Sequence, residues 1–159
     1  MSTLHFHQKT RSTPEQFIDG LTDFGPGRSK LFGNSADDYL KVHRRGFKDA
    51  DVTEGSRGIW ERLHYDWSDP NRVVMTTTDS NVWRAGSGHT YTFTRRPDGM
   101  TDLDAVVVRE GKNLKGRVLG LVLGTIGKRV LEKAFRNSVK AIEARTSRRL
   151  HREPLSAAR

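Results

Sequence analysis

The sequence predicts an α+β fold in which a curved antiparallel sheet of about seven strands grips one long C-terminal helix. Three observations carry this. Short β-rich segments fill the middle of the chain, turn residues separate them at close intervals, and a proline-free helical stretch closes the C-terminal third. Short sequential connections imply an antiparallel meander. A sheet wide enough to curl buries its inner face against such a helix.

The elements follow in order. Leu4 to Thr10 alternates Leu4, Phe6, Gln8 and Thr10 against His5, His7 and Lys9, a strand with one apolar side. Thr13-Pro14-Glu15-Gln16 is a helix start: Thr13 caps, Pro14 suits the first helical position, and Gln16 completes a capping box. Phe17, Ile18 and Leu21 give that short helix an apolar face, Gly25-Pro26-Gly27 ends it, and Arg28 to Phe32 can form one more turn. Strands are expected over Tyr39–Arg45, Ala50–Glu54, Ile59–Trp67, Arg72–Thr78, His89–Thr94 and Leu103–Val108, with Gly46, Gly55-Ser56, Asp69-Pro70-Asn71, Gly86-Ser87-Gly88 and Pro97-Asp98-Gly99 as the turns. From Leu114 to about Arg145 a helical stripe runs through Leu123, Val130, Leu131, Ala134, Phe135, Ser138 and Ile142. One domain is expected over 1–148, followed by a basic, flexible tail over 149–159.

Composition narrows the function. There are no cysteines, which excludes disulfides, thiolate metal sites and cysteine nucleophiles. The N-terminus lacks the basic and apolar regions of a secretory signal, and the longest apolar run, Val118 to Ile126, is far short of the roughly 20 residues a membrane span needs. The expectation is a cytoplasmic protein. The net charge of +9 is concentrated at the end: from Lys112 onward thirteen Lys and Arg stand against three Glu. His5-x-His7 has no third ligand at metal-like spacing, and Gly86-Ser87-Gly88 is a turn with no phosphate-loop lysine after it. No cofactor and no metal are expected.

Several segments resemble the START-like (SRPBCC) superfamily, whose helix-grip fold serves the birch-pollen allergens and bacterial polyketide cyclase/dehydrase and lipid-transport proteins. They are the strand leading into Thr13-Pro14-Glu15-Gln16-Phe17, Leu21-Thr22-Asp23-Phe24, Asp51 to Ser56, Gly58 to Trp67, and the Leu114-Lys115-Gly116-Arg117 entry to the last helix. Together they are similar to uncharacterised actinobacterial members, over Leu4 to about Arg145. The resemblance implies a helix-grip domain with a cavity between sheet and helix. It does not imply one activity, because carriers, cyclases and receptors share this scaffold.

Two alternating rows are candidate cavity walls. Trp60, Arg62 and His64 form one, and His89, Tyr91 and Phe93 the other; Met75, Gly124 and Phe135 join them as ligand-cavity candidates. Apolar residues on both faces of these strands leave open which row points inward. Gly116, Gly120, Gly124 and Gly127 run along one side of the last helix, either enlarging the cavity or letting a ligand or backbone approach closely, or else packing closely on the sheet or marking a kink or break near Gly124 to Gly127. Arg117, Lys128 and Arg129 flank the apolar Val118–Ile126 run and are candidates for contact with an anionic membrane.

The expected function is therefore binding or transport of a hydrophobic small molecule, a lipid, fatty acid or polyketide-like compound. The alternative is a cofactor-free cyclase or aromatase in which His64, His89, Arg62 or Tyr65 handles protons, with no motif naming a catalytic residue. A basic module contacting a membrane or a nucleic acid is a third reading. Nucleic-acid binding is disfavoured, since no recognised motif accompanies the basic residues. A monomer is expected.

Overall fold

The computed structural model describes residues 1–156, with side chains through His151; the last three residues of the expected tail lie outside the described residues. Seven strands form one antiparallel sheet: β1 (Ser2–Thr10), β2 (Lys41–Arg45), β3 (Asp49–Ser56), β4 (Ile59–Asp66), β5 (Arg72–Ser80), β6 (Gly88–Arg95) and β7 (Thr101–Arg109). The spatial order is β1-β7-β6-β5-β4-β3-β2, so strands two to seven are a meander and β1 returns to pair with β7 over its whole length. The helices are α1 (Pro14–Leu21), α2 (Leu114–Gly124) and α3 (Gly127–Ser156), with a short 3-10 turn at Arg28–Lys30.

Local chemistry explains the boundaries. The Thr13 hydroxyl accepts from the Gln16 backbone N–H, and the Gln16 side chain accepts from the Thr13 N–H, so the capping box forms as read. The expected single C-terminal helix is instead two. Thr125 leaves helical geometry, and its hydroxyl donates back to the Leu121 and Val122 carbonyls, satisfying the end of α2. A Cβ on Gly127 would lie 2.9 Å from the Val122 carbonyl oxygen, so a residue without a side chain suits the junction where the chain enters α3.

The core lies between the sheet's concave face and the helices. Ala50, Val52, Leu63, Tyr65, Val73, Met75, Tyr91, Phe93, Leu103, Ala105, Leu4 and Phe6 point inward, and Phe17 and Leu21 of α1 with Val139 and Ile142 of α3 cover them. Gly20 lets α1 and α3 approach: a Cβ there would come within 3.1 Å of Ile142. Ion pairs fasten the same contact, Arg145 to Asp23 at 2.6 Å and Arg149 to Asp19 at 2.6 Å. Glu143 holds the end of β1 by accepting from the Thr10 hydroxyl and the Arg11 N–H. The inward seam of α3 is thus Leu131, Phe135, Val139 and Ile142; Val130 and Ala134, expected on that stripe, face solvent.

Candidate functional site

The pleat decides which sequence row faces the helices. On β4 the inward residues are Glu61, Leu63 and Tyr65, and period-two alternation places Arg62 and His64 on the convex side. Arg62 is exposed, Trp60 is half-buried, and His64 hydrogen-bonds Asp51 at 2.9 Å beside Arg44 and Asp49, in a surface charge cluster. That row therefore does not converge with the other. His89, Tyr91 and Phe93 do point inward, on β6, opposite Val107, Ala105 and Leu103 of β7. Met75 stands across from His89 on β5. Phe135 reaches in from α3, with its ring 6.1 Å from those of both Phe6 and Tyr91. Gly124 is exposed at the end of α2, its nearest neighbour for an added Cβ being the Ser2 hydroxyl at 3.6 Å.

The concave interior has two unlike halves. Under α1, Phe17, Leu21, Val52, Leu63, Leu103, Val139 and Ile142 are fully buried. Under the α2–α3 elbow, Leu123, Leu131, Phe135, Val107 and His89 point inward yet keep part of their surface accessible. The inner face of the sheet is less covered on that side than under α1. Two open surface grooves, of about 450 Å³ and 310 Å³, lie elsewhere: one runs between α1, β2 and α3 past Phe24, Arg45 and Arg145, the other passes Trp83 and Lys112. Neither is lined by His89, Tyr91, Phe93 or Phe135.

Each half contains a buried arginine–glutamate pair. In the closed half, Arg28 bonds Glu54, the Leu21 and Asp23 carbonyls at 2.9 and 2.8 Å, and the Tyr65 hydroxyl at 3.1 Å. Tyr65 donates to Glu54 at 2.7 Å, and Phe24 and Phe32 each sit 4.8 Å from the guanidinium. Burial lowers the tendency of Arg28 to stay charged, but the Tyr65 and Glu54 oxygens outweigh it. Burial pushes the Tyr65 hydroxyl well above its ordinary range, so it remains a neutral donor. Every member is satisfied, and the pair ties the 3-10 turn to β3 and β4.

The half-open side is floored by Glu61, Arg109, His89 and Thr77. Arg109 grips Glu61 with both terminal nitrogens, at 2.8 and 2.9 Å, and stacks on Trp83 at 5.2 Å. The Thr77 hydroxyl donates to Glu61 at 2.9 Å. Burial alone would raise the Glu61 carboxyl, yet the Arg109 charge holds it below the ordinary range. Arg109 also meets Nε2 of His89, which must accept. Burial, then the Arg109 charge, pushes His89 down to about 3 against a weaker opposing pull from Glu61. Burial likewise raises Tyr91 to about 12. The floor is thus a neutral imidazole beside a charge-balanced pair, set in an apolar wall.

Sequence reasoning named His89, Tyr91, Phe93, Met75 and Phe135 but missed Glu61, Arg109, Glu54 and Arg28. A signal for two of them exists. Glu61-x-Leu63-x-Tyr65 and Leu103-x-Ala105-x-Val107-x-Arg109 are apolar period-two rows that each end in a charge, of opposite sign.

Among known proteins, no family model and no curated protein matches the sequence. Solved structures do. A START superfamily protein from Mycobacterium smegmatis superposes with a TM-score of 0.66 at 11% identity, covering 93% of this chain and 99% of that one. The Zhui aromatase/cyclase from Streptomyces sp. R1128 gives 0.69 at 11% identity, covering 93% and 94%. The protein TTHA0849 from Thermus thermophilus gives 0.66 at 14%, covering 99% of both chains. The fold is START-like. The Glu61, Arg109 and His89 cluster lies on the inner face of the sheet, on the side that α2 and the start of α3 cover.

Proposed function

We propose that this protein binds an apolar small molecule under the α2–α3 elbow, with a neutral oxygen function of the ligand set against the His89–Arg109–Glu61 floor. The observation that carries the reading is the contrast between the two halves of the interior. Inward residues are sealed under α1, yet those around Phe135, Leu131, Val107 and His89 retain accessible surface over a built polar floor. Because Glu61 balances Arg109, a carbonyl, ester or hydroxyl suits this floor better than a free carboxylate, which would meet Glu61. A polyketide-like or esterified lipid ligand fits that description better than a free fatty acid.

Native mass spectrometry of freshly purified protein tests the reading: a bound apolar species should appear, and Phe135→Trp, which fills the hollow, should lower its occupancy. Added anthraquinone should bind more tightly than oleate. A preference for oleate, or occupancy unchanged in Phe135→Trp, counts against the proposed site.

The second reading, a cyclase or aromatase like the one named among the solved structures, draws support from a buried imidazole next to a guanidinium that could polarise a carbonyl. The low basicity of His89 opposes it. At neutral pH, protonating a group that titrates near 3 costs about 5 kcal/mol, so His89 is a poor proton shuttle and a better hydrogen-bonding partner. Turnover of a polyketide-like substrate that disappears in His89→Gln would favour the enzyme.

A further inference from the structure

The helix α2 packs inside out. Its buried residues are Gly116 and Gly120, and it docks through them: a Cβ on Gly116 would sit 2.1 Å from the Val82 carbonyl oxygen, and Gly120 faces Ser2 and Trp83. The Ser2 hydroxyl donates to the Gly120 carbonyl at 3.1 Å. With the glycines turned inward, the large apolar side chains are turned out. Leu114 is 77% exposed, Leu121 70%, Ile126 81% and Val130 67%, with Val118 and Val122 beside them. At 100° per residue, Leu114, Val118 and Leu121 form one outward stripe, and Lys115 and Arg117 fall on either side of it. Lys128 and Arg129 continue the basic border past the elbow. No acidic residue occurs between Glu110 and Glu132. Among the described residues, Lys115, Arg117, Lys128, Arg129 and Lys133 make no ion pair with a carboxylate.

We propose that the α2–α3 elbow is a membrane-docking surface that lies flat on anionic lipid, with Leu114, Val118, Leu121 and Ile126 in the acyl boundary and the flanking cations at the headgroups. The reading goes beyond ligand uptake and stands whether or not a ligand is bound. An apolar stripe bordered by lysine and arginine is what an interfacial helix presents. No described helix is long and apolar enough to cross a membrane, so contact is from one side. A second copy of the chain is a poor occupant, because a two-fold pairing of this face would bring one acid-free basic border against another. Duplex nucleic acid is also poor, since the centre of the face is aliphatic.

The test is flotation of the full chain with vesicles of phosphatidylcholine containing about 30 mol % phosphatidylglycerol, against phosphatidylcholine alone. The protein should float with the anionic vesicles. Leu121→Asp with Ile126→Asp should weaken partitioning about tenfold or more, and Lys128→Gln with Arg129→Gln about fivefold per charge removed. Phe47→Asp, at an apolar residue 92% exposed on the β2–β3 turn, is the control and should float like wild type. The altered side chains are exposed, so circular dichroism and melting should be unchanged. The proposal is overturned if the protein does not float, or if the paired Asp variant floats as well as wild type. It is also overturned if sedimentation shows a dimer that the paired Asp variant dissolves, or if that variant retains salt-sensitive duplex DNA binding. Native mass spectrometry reads ligand occupancy separately, so failure here leaves the ligand site unaffected, and the reverse.

Discussion

Removing the titrating group at position 89 should change how stability responds to acid. In the folded protein His89 titrates near 3, because its half-buried ring is poorly solvated and Arg109 faces it from β7; Glu61 on β4 pulls the other way without prevailing. In the unfolded chain it titrates near 6.5. The folded value is depressed, so above pH 6.5 both states are neutral and stability is intact. As the pH falls below 6.5 the unfolded state takes up the proton first and stability is lost, down to about pH 3. The gap between the two values sets a ceiling of about 5 kcal/mol, of which about 2 kcal/mol is already lost at pH 5. Urea unfolding of wild type and His89→Gln at pH 7.5 and pH 5 isolates it. Gln keeps an acceptor for Arg109 but cannot ionise. Carboxylates held low by hydrogen bonds or charges, such as Asp51, Asp66 and Asp98, act alike in both proteins and cancel. Wild type should lose about 2 kcal/mol more than the variant between the two pH values. An equal loss would mean that His89 takes up a proton freely in the fold, so that the floor is wet and strongly screened. The argument for a neutral imidazole, and against a proton-shuttling one, would then fail.

Three further outcomes follow from packing. Glu54→Gln leaves the buried Arg28 guanidinium without its counter-charge, at a cost of about 3–5 kcal/mol, or roughly 10–15 °C in melting temperature; a loss under about 1 kcal/mol would show that the network contributes little. Gly116→Ala should lower the melting temperature despite the better helix propensity of alanine, because its Cβ runs into the Val82 backbone, whereas Gly124→Ala, whose Cβ would meet only the Ser2 hydroxyl at an ordinary 3.6 Å contact, should raise stability by up to about 1 kcal/mol; equal effects at the two sites would refute the inside-out packing of α2. Phe135→Ala should cost less than the roughly 3–5 kcal/mol of a fully buried phenylalanine, measured by urea unfolding, since the ring is only partly covered; a cost at the top of that range would mean the hollow is closed.

Much of the fold was legible because its signals are local. Thr13, Pro14 and Gln16 specify the start of α1 whatever surrounds them, and turn residues at Gly46 and Gly99 punctuate the meander; the turn expected at Gly55-Ser56 lies instead at Arg57-Gly58, because Gly55 and Ser56 still pair with Trp60 and Ile59 at the end of β3. The site was less legible because strand parity is not a local property. On β4 both Trp60-Arg62-His64 and Glu61-Leu63-Tyr65 mix apolar and polar groups, so periodicity favours neither face. What settles the choice is cross-strand: Val52 lies opposite Leu63 and Ala50 opposite Tyr65, and these inward pairs meet Phe17, Leu21 and Ile142, elements far away in sequence. A shift in pairing between β4 and β5, where Arg62 faces Asp79 but Leu63 faces Thr77, adds a residue at Thr78 that no single-strand pattern reveals.

The same non-locality explains why α2 is easily misread. As a sequence, Leu114 to Gly124 is an apolar run with spaced glycines, and apolar residues are expected to turn inward while glycines merely tolerate it. The structure inverts this because the backbone at Val82 comes too close to position 116 for any side chain to intervene, and the Ser2 hydroxyl then fastens the same edge at the Gly120 carbonyl. Only glycine fits at 116, and once the glycine edge is inward, helical geometry leaves Leu114, Val118 and Leu121 no place but the surface. Substituting polar residues at those three positions would improve solubility at no packing cost. Leucine and valine there, bordered by Lys115, Arg117, Lys128 and Arg129, give the exposed surface an apolar centre and a basic edge, the combination on which the proposed contact with anionic lipid rests.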